Sequence, residues 1–250
     1  MRRTALLAVT LAAMLALAGC AGTSGTTTAP TTNATTTQAS VDYPPGVTAD
    51  GVESGFDLTD AHAEALRSSD YEVTEITTIR VNGSGYKTYM QTTKADGDTM
   101  SASRSYSATP PGTDHSSAQF WANATTGAIQ YTHDDGNTTT ATVGGAGDTD
   151  LVRTPDQWSE YLYTLLAAGQ LEVSETDDGN VALRAAGPRN VTTDYGEGTT
   201  ESLSATVTPD GFVTDLSVTY TTTIDGETAT VSKQFTFEQG DVTVTKPTWA

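Results

Sequence analysis

Turn signals of the type Asn-Gly or Asp-Gly recur along the chain and constrain its fold more than any other feature. Such pairs favour the positive φ angles of tight β-hairpin turns, and most of them lie between segments in which apolar and polar residues alternate. The pattern predicts antiparallel strands with one buried face and one solvated, threonine-rich face. The turn pairs begin at Asn82, Asp96, Asp135, Asp178, Asp210 and Asp225.

The alternation is clearest in three segments, which predict strands with one dry face. On the dry face of the first segment lie Tyr71, Val73, Thr77, Ile79 and Val81. On the dry faces of the other two lie Leu216, Val218 and Tyr220, and then Val231, Phe235 and Phe237. The spacing of turns and alternating segments predicts some nine to eleven strands between residue 42 and the C-terminus.

Two segments depart from this period and predict helices. Residues 154–157, Thr-Pro-Asp-Gln, offer an N-cap, a proline at the first helical position and a glutamine able to close a capping box, and Gly169 is placed to end the helix. The other helix is expected from near Asp57 or Thr59 to about Ser69. Two helices among many antiparallel strands predict an α+β domain in which a large sheet curls around or under the helices.

The N-terminus carries the features of an export signal. Arg2 and Arg3 precede fourteen residues in which Thr10 alone is polar, and this run is shorter than the roughly 20 residues that a membrane span needs. Residues 17–20, Leu-Ala-Gly-Cys, resemble the lipobox of bacterial and archaeal lipoproteins. The resemblance implies cleavage after residue 19, a lipid on Cys20, and a position on the external face of the cell membrane. The alternative is an ordinary secreted protein with an incidental cysteine.

Residues 20–41 are interpreted as a disordered tether and residues 42–250 as a single domain. The tether is rich in threonine and lacks large apolar side chains, so it cannot bury enough surface to fold. Five N-x-Ser/Thr sequons are candidate N-glycosylation sites in an exported chain. They begin at Asn33, Asn82, Asn123, Asn137 and Asn190.

The charge of the chain is strongly negative, with 12 basic and 31 acidic residues and a formal net charge of −19. This balance excludes nucleic acid as a default partner, because phosphates are bound by Lys and Arg. The excess of Asp and the scarcity of Lys resemble proteins of extreme halophiles, although an acidic surface protein of an ordinary organism has a similar composition. We expect the fold to weaken in dilute buffer, where the acidic side chains repel one another without screening.

The sequence offers no motif for catalysis, a metal or a cofactor. Residues 134–137 and 177–180 both read Asp-Asp-Gly-Asn, but neither extends into a calcium-binding loop, and both are interpreted as hairpin turns. Histidines are scattered, and no Cys or second His stands at metal-ligand spacing. We therefore expect a protein that is not an enzyme and has no catalytic residue, metal site or cofactor.

Two stretches of the domain resemble known families. Residues 43–47, Tyr-Pro-Pro-Gly-Val, then Asp-Gly-Val at 50–52 and a helix with Asp-Ala-His at 60–62, resemble the mature start of haloarchaeal lipoproteins of unknown function. Towards the C-terminus, Pro-Asp-Gly at 209–211, two hairpin strands and Pro-Thr-Trp at 247–249 resemble the architecture of LolA-like and LprG/LppX-like lipoprotein carriers.

The carrier resemblance implies a curved antiparallel half-barrel with helices packed on its concave face around an apolar cavity. It implies that five helical side chains line this cavity, whereas the alternative is a solid core. These residues are His62, Leu66, Trp158, Leu162 and Leu165.

The leading hypothesis is a non-catalytic, membrane-anchored binding protein for a lipid or another apolar ligand. The alternative is a glycosylated cell-surface structural or interaction protein without a cavity. Protein partners stay unknown.

Overall fold

The computed structural model describes residues 42–107, 115–149, 151–167 and 171–250, and of residues 84–87 it describes the backbone. Within these ranges the chain forms fourteen β-strands and two α-helices. In chain order they are β1 Val47–Thr48, β2 Gly51–Val52, α1 Gly55–Arg67, β3 Tyr71–Val81, β4 Ser84–Asp96, β5 Thr99–Tyr106, β6 His115–Ala122, β7 Gly127–His133, β8 Thr138–Val143, α2 Pro155–Leu166, β9 Leu171–Glu175, β10 Val181–Ala185, β11 Asn190–Thr193, β12 Gly196–Val207, β13 Val213–Ile224 and β14 Glu227–Gln239. Cys20 and Asn33 lie outside the described residues, as do the signal and tether segments up to residue 41.

Twelve of the strands form one antiparallel sheet that is not closed, in the order β8-β7-β6-β5-β4-β3-β14-β13-β12-β10-β9, with β11 paired to β12. The α+β class is therefore confirmed in its coarse form, with many strands and few helices. The expected number of nine to eleven strands is wrong, because the described residues hold fourteen. Strands β1, β2 and β11 have only two to four residues, too few to carry a readable alternation.

All six predicted Asn/Asp-Gly turns connect consecutive antiparallel strands. The glycine of each pair has a positive φ, from 54° at Gly97 to 94° at Gly211. In the β3–β4 and β13–β14 turns the residue before the glycine is also left-handed, with φ of 51° at Asn82 and 52° at Asp225. Because two successive positive φ angles match the twist of a hairpin, these dipeptides set the register of the flanking strands.

Both helices begin at a capping side chain. The Thr154 hydroxyl accepts a hydrogen bond from the backbone nitrogen of Gln157, and the Gln157 side chain accepts one from the Thr154 nitrogen, which confirms the predicted capping box of α2. Helix α1 begins at Gly55, earlier than predicted, because Ser54 is its N-cap and accepts from the Asp57 nitrogen. Helix α2 ends at Leu166, and the predicted stop Gly169 lies outside the described residues.

The two helices cover one face of the sheet and meet on Phe237 of β14. The ring centroid of Phe237 lies 4.8 Å from that of His62 on α1 and 4.9 Å from that of Trp158 on α2, both in edge-to-face geometry. Aromatic pairs of this kind add roughly 0.5–1.5 kcal/mol to the burial of their surface. The central strands therefore hold both helices against the same side of the sheet.

The C-terminal segment after β14 contacts the opposite face. Trp121 lies on the side of β6 that faces away from the helices, and it is paired with Ser101 of β5. Its ring lies 4.8 Å from the ammonium nitrogen of Lys246, and Pro247 and Trp249 line the same small surface cavity. The tail thus shields an aromatic side chain on the face opposite to α1 and α2.

Candidate functional site: a charged cavity beside the second helix

A cavity of about 580 Å³ lies between α2, the segment before it, strands β3 to β5 and the β11–β12 hairpin. We call it the charged cavity. Unlike a second cavity of about 600 Å³ at the end of α1, it draws ionisable side chains from six elements of the chain. Its walls are formed by Glu75, Tyr89, Arg104, Thr149, Val152, Arg153, Gln157, Glu160, Tyr161, Thr164, Thr192, Thr193, Asp194 and Tyr195.

Glu75 is the most deeply placed acid of the charged cavity. It stands in the middle of β3 on the helix-covered face, and its side chain is only 4% exposed. The hydroxyls of Thr77 and Tyr89 both donate to its Oε1 at 2.9 Å. Burial of a carboxylate is costly unless hydrogen bonds and cations compensate, so these donors account for part of its presence in the sheet interior.

Lys233, Arg153 and Asp194 complete an ion cluster around Glu75. The Lys233 ammonium nitrogen lies 3.5 Å from Glu75 Oε1 and also donates to Asp194. Arg153 donates to the two oxygens of Asp194 at 3.0 and 2.9 Å, and its other terminal nitrogen lies 3.9 Å from Glu75 Oε2. Asp194 lies in the short connection between β11 and β12, so this ion cluster ties that hairpin to the sheet and to the α2 approach.

Asp194 and Arg153 stay ionised, as the directions of their pKa shifts indicate. Burial by itself would raise the pKa of Asp194, but the charges of Lys233 and Arg153 outweigh it and hold that pKa below its usual value. Burial opposes the charge of Arg153 as well, yet Asp194 and Glu75 raise its pKa. The carboxylate of Asp194 and the guanidinium of Arg153 therefore keep each other charged.

Arg104 forms a separate cationic corner of the cavity. Its Nε donates to Gln91 Oε1 at 2.6 Å, and the Gln91 amide nitrogen donates to the Leu151 carbonyl at 2.5 Å. The guanidinium carbon lies 4.9 Å from the ring centroid of Tyr89. Burial would lower the pKa of Arg104, but hydrogen bonding with Tyr106 and the nearby charge of Glu75 raise it above its usual value.

Tyrosine rings supply the non-ionic surface of the cavity. Arg153 lies 4.4 Å from the ring centroid of Tyr161, and Lys233 lies 5.8 Å from that of Tyr195, within the range of cation–π attraction. Burial, followed by the nearby carboxylates, raises the pKa of Tyr89, Tyr161 and Tyr195. These phenols therefore stay protonated and act as hydrogen-bonding, aromatic walls.

The sequence holds a signal for this site in two of its alternating segments. In β3 the buried parity runs through Val73, Glu75 and Thr77, and in β14 it runs through Val231, Lys233 and Phe235. Glu75 and Lys233 are the charged interruptions of otherwise apolar or neutral faces. A charged residue at a position that the period-2 pattern assigns to the core indicates a paired, functional or strained site.

The five helical residues predicted to contact a ligand lie in the packed interior. Leu66, Trp158, Leu162 and Leu165 belong to the hydrophobic core and are at most 3% exposed. His62 is fully buried, stacks on Phe212 at 5.3 Å, and accepts a hydrogen bond at Nδ1 from the Val213 nitrogen at 3.1 Å. None of the five lines the charged cavity, although Leu66 contributes to the second cavity. Their role as ligand contacts stays a prediction.

Four of the five sequons lie within the described residues. Asn82, Asn137 and Asn190 are exposed and Asn123 is half-buried. The Asn123 side-chain oxygen accepts from the backbone nitrogens of Thr125 and Thr126, at 3.0 and 2.9 Å. Glycan attachment at these positions stays a prediction.

No set of three His, Cys, Asp or Glu side chains in the described part of the chain is arranged to hold a metal ion. Among the same residues, no helix has the length and apolar character to cross a membrane.

No protein-family model matches the sequence, and no curated protein is similar to it. Solved structures of similar architecture include LprF from Mycobacterium bovis, at 12% identity and TM-score 0.43, over 79% of this chain and 99% of that one. A LolA superfamily protein from Nitrosomonas europaea aligns at 8% identity and TM-score 0.29, over 74% and 93%. A DUF1329 family protein from Desulfovibrio piger aligns at 11% identity and TM-score 0.30, over 78% and 95%.

The LolA superfamily protein and LprF agree with the carrier resemblance inferred from the sequence, whereas its haloarchaeal part stays a prediction. The identities and TM-scores of these neighbours are too low to indicate a ligand or a role for this chain.

Proposed function

We propose that this protein is a lipid-anchored, extracytoplasmic binding protein that holds a lipid or another amphipathic ligand in the charged cavity without chemically changing it. The observation that carries the proposal is the cavity itself. Its volume of about 580 Å³ lies within the roughly 300–1,000 Å³ that is typical of small-molecule sites. The wall combines tyrosine rings with a few fixed charges, so the ligand is amphipathic rather than purely apolar.

The non-catalytic part of the proposal is supported by how the ionisable groups of the cavity are used. Asp194 and Arg153 hold each other in their charged forms, and the buried tyrosines stay protonated. General acid–base catalysis instead favours a group whose pKa is close to the working pH. His62 is enclosed between Phe212 and Phe237 in the core and does not line the cavity.

Native mass spectrometry of the protein, purified from its own host in high salt, tests the proposal directly. A stoichiometric lipid or other small-molecule adduct is the expected result, and organic extraction identifies it. Thr164 of α2 lines the cavity, and Thr164→Trp is expected to fill the space and abolish the adduct. Thr236→Trp is the matched control, because Thr236 is an exposed residue on the outward parity of β14.

Two results would contradict the binding proposal. One is a ligand-free mass that does not change after incubation with host lipids, and the other is an adduct that Thr164→Trp retains. A ligand-free mass would favour the second candidate function, a cell-surface interaction protein, whereas a retained adduct would place the ligand outside the charged cavity. The observation that favours this candidate is a groove between the two helices that exposes Phe56 and Tyr163, by 65% and 48%. Deleting both side chains would then abolish partner capture while leaving the fold intact.

The anchoring part of the proposal rests on the lipobox-like segment that ends at Cys20. Cys20→Ser is expected to release the protein from the membrane fraction into the medium. The matched control is Ser24→Ala, a change of similar size just beyond the cysteine. Retention of the Cys20→Ser protein in the membrane would overturn the anchor while leaving the binding proposal in place.

A further inference from the structure

We infer that the ligand of the charged cavity carries an anionic group, a carboxylate or a phosphate ester, that is bound by Arg104. This inference rests on the proposed binding function and specifies its ligand class. It concerns one corner of the cavity, formed by Arg104 of β5, Gln91 and Tyr89 of β4, and the segment before α2.

Within the described ranges, the pairing of charges around the cavity leaves Arg104 without a carboxylate partner. Asp194 is shared by Arg153 and Lys233, and Glu75 is also approached by both, at 3.9 and 3.5 Å. Among the residues that the structure describes, no carboxylate oxygen lies within 4.0 Å of the Arg104 guanidinium nitrogens. Three cations thus share two carboxylates, the buried Glu75 and Asp194, whose side chain is 38% exposed. Glu160 also lines the cavity, but it is exposed to solvent.

The guanidinium of Arg104 is held in place in advance of binding. Gln91 accepts from its Nε at 2.6 Å, and Gln91 is itself fixed by donating to the Leu151 carbonyl and, at 3.1 Å, to the Thr93 hydroxyl. The Tyr89 ring supports one side of the guanidinium plane at 4.9 Å. A guanidinium fork that is already oriented loses little freedom when it binds a carboxylate or phosphate, which makes it a specific anion receptor.

The aromatic walls do not favour a cationic ligand, because the cations of the protein already face them. Tyr89 is faced by Arg104, Tyr161 by Arg153 at 4.4 Å, and Tyr195 by Lys233 at 5.8 Å.

The net charge of −19 repels anions at long range. In molar salt, however, the Debye length falls to about 3 Å, so a contact pair inside a partly enclosed cavity outweighs the distant field.

Four decyl compounds that differ in their head group test the inference by calorimetric titration in molar KCl. They are decanoate, decyl phosphate, decanol and decyltrimethylammonium. We expect both anions to bind about ten-fold or more tightly than decanol, the range of a charge-assisted hydrogen bond. We expect Arg104→Gln to remove this preference while decanol binding changes less than about two-fold. Whichever anion binds more tightly distinguishes a carboxylate from a phosphate ligand.

Arg80→Gln is the matched control, because Arg80 is an exposed arginine on the opposite parity of β3 and its replacement changes the net charge equally. Equal binding of decanol and the anions, or an anion preference that survives Arg104→Gln, would overturn the inference and leave the binding proposal standing. Preferential binding of the trimethylammonium compound would also overturn it. Binding of none of the four would count against the binding proposal as well. If Arg104→Gln does not fold, the head-group comparison on the unaltered protein decides.

Discussion

The ammonium nitrogen of Lys233 lies 3.5 Å from Oε1 of Glu75, and the two side chains are 1% and 4% exposed. They stand on the adjacent strands β14 and β3, one inward position apart in register, since Lys233 is opposite Thr77 and Glu75 is opposite Phe235. Desolvation of two charges costs several kcal/mol, and the pair persists only where further bonds compensate. Asp194 and Tyr89 supply those bonds, so the pair joins the centre of the sheet to the cavity wall.

Removal of one partner of this pair is expected to destabilise the fold strongly. Lys233→Met leaves Glu75 and Asp194 without their shared buried cation, and we expect the free energy of unfolding to fall by about 3 kcal/mol. Urea unfolding in molar KCl measures the loss. The double variant Lys233→Met, Glu75→Gln is expected to be more stable than the sum of the single losses predicts, because it leaves no unpaired charge at this position. Strictly additive losses would show that the two side chains do not act as a pair.

Stability is expected to depend on pH through His62. Burial lowers the pKa of His62 to about 3, whereas an unfolded histidine titrates near 6.5. Between these values the unfolded state binds a proton that the folded state does not, so the free energy of unfolding falls as the pH falls from about 6.5 towards about 3. The contribution is about 1.4 kcal/mol per pH unit for one proton.

His62→Asn isolates this contribution, because its amide oxygen can replace Nδ1 as acceptor for the Val213 nitrogen. The variant is expected to be less stable at neutral pH, since it loses ring packing against Phe212 and Phe237. Below about pH 6 its stability should fall less steeply than that of the unaltered protein, as measured by urea unfolding over a pH series. Parallel slopes would show that His62 takes up its proton in the folded state.

Gly211 is expected to tolerate no side chain, because it lies against α1. A Cβ atom at this position would be 2.6 Å from the Cβ of Ala61 and 3.3 Å from Pro45, and φ is +94°. Gly226 also has a positive φ, +83°, but nothing lies within 4 Å of its Cβ position. Gly226→Ala is expected to cost about 1 kcal/mol from the backbone conformation alone, and Gly211→Ala at least about 2 kcal/mol more from the clash. Similar losses in thermal unfolding would place the helix further from this turn.

The fold is expected to be more stable in high salt than in dilute buffer, as the net charge of −19 predicts. Three exposed carboxylates, Glu172, Glu175 and Asp177, lie within six residues at the edge strand β9 and its turn. Replacing them with Gln, Gln and Asn should reduce the rise in melting temperature between dilute and molar KCl. The neutral control Ser174→Ala should leave that rise unchanged. A melting temperature that does not depend on KCl would contradict the role of charge repulsion.

The local elements of this fold are predictable from the sequence alone. Asn-Gly and Asp-Gly pairs imply turns because their backbone preferences act over two residues, and the capping box at Thr154 acts over four. Alternating apolar residues locate the inner faces of β3, β13 and β14. The short strands β1, β2 and β11 escaped prediction because their pairing, and not their composition, makes them strands.

The candidate site was decided by the tertiary structure. Glu75, Arg104, Arg153, Asp194 and Lys233 span about 160 positions of sequence and meet only because β3 pairs with β14 and the β11–β12 hairpin approaches α2. Glu75 and Lys233 interrupt the inner faces of their strands, but Arg104, Arg153 and Asp194 are in isolation ordinary polar residues of an acidic chain. The helical stripe with Trp158 and Leu162 packs in the hydrophobic core, and its role as a ligand contact stays a prediction. Local sequence determines where elements begin and end, whereas side chains distant in sequence determine which of their faces close into core and which leave a cavity.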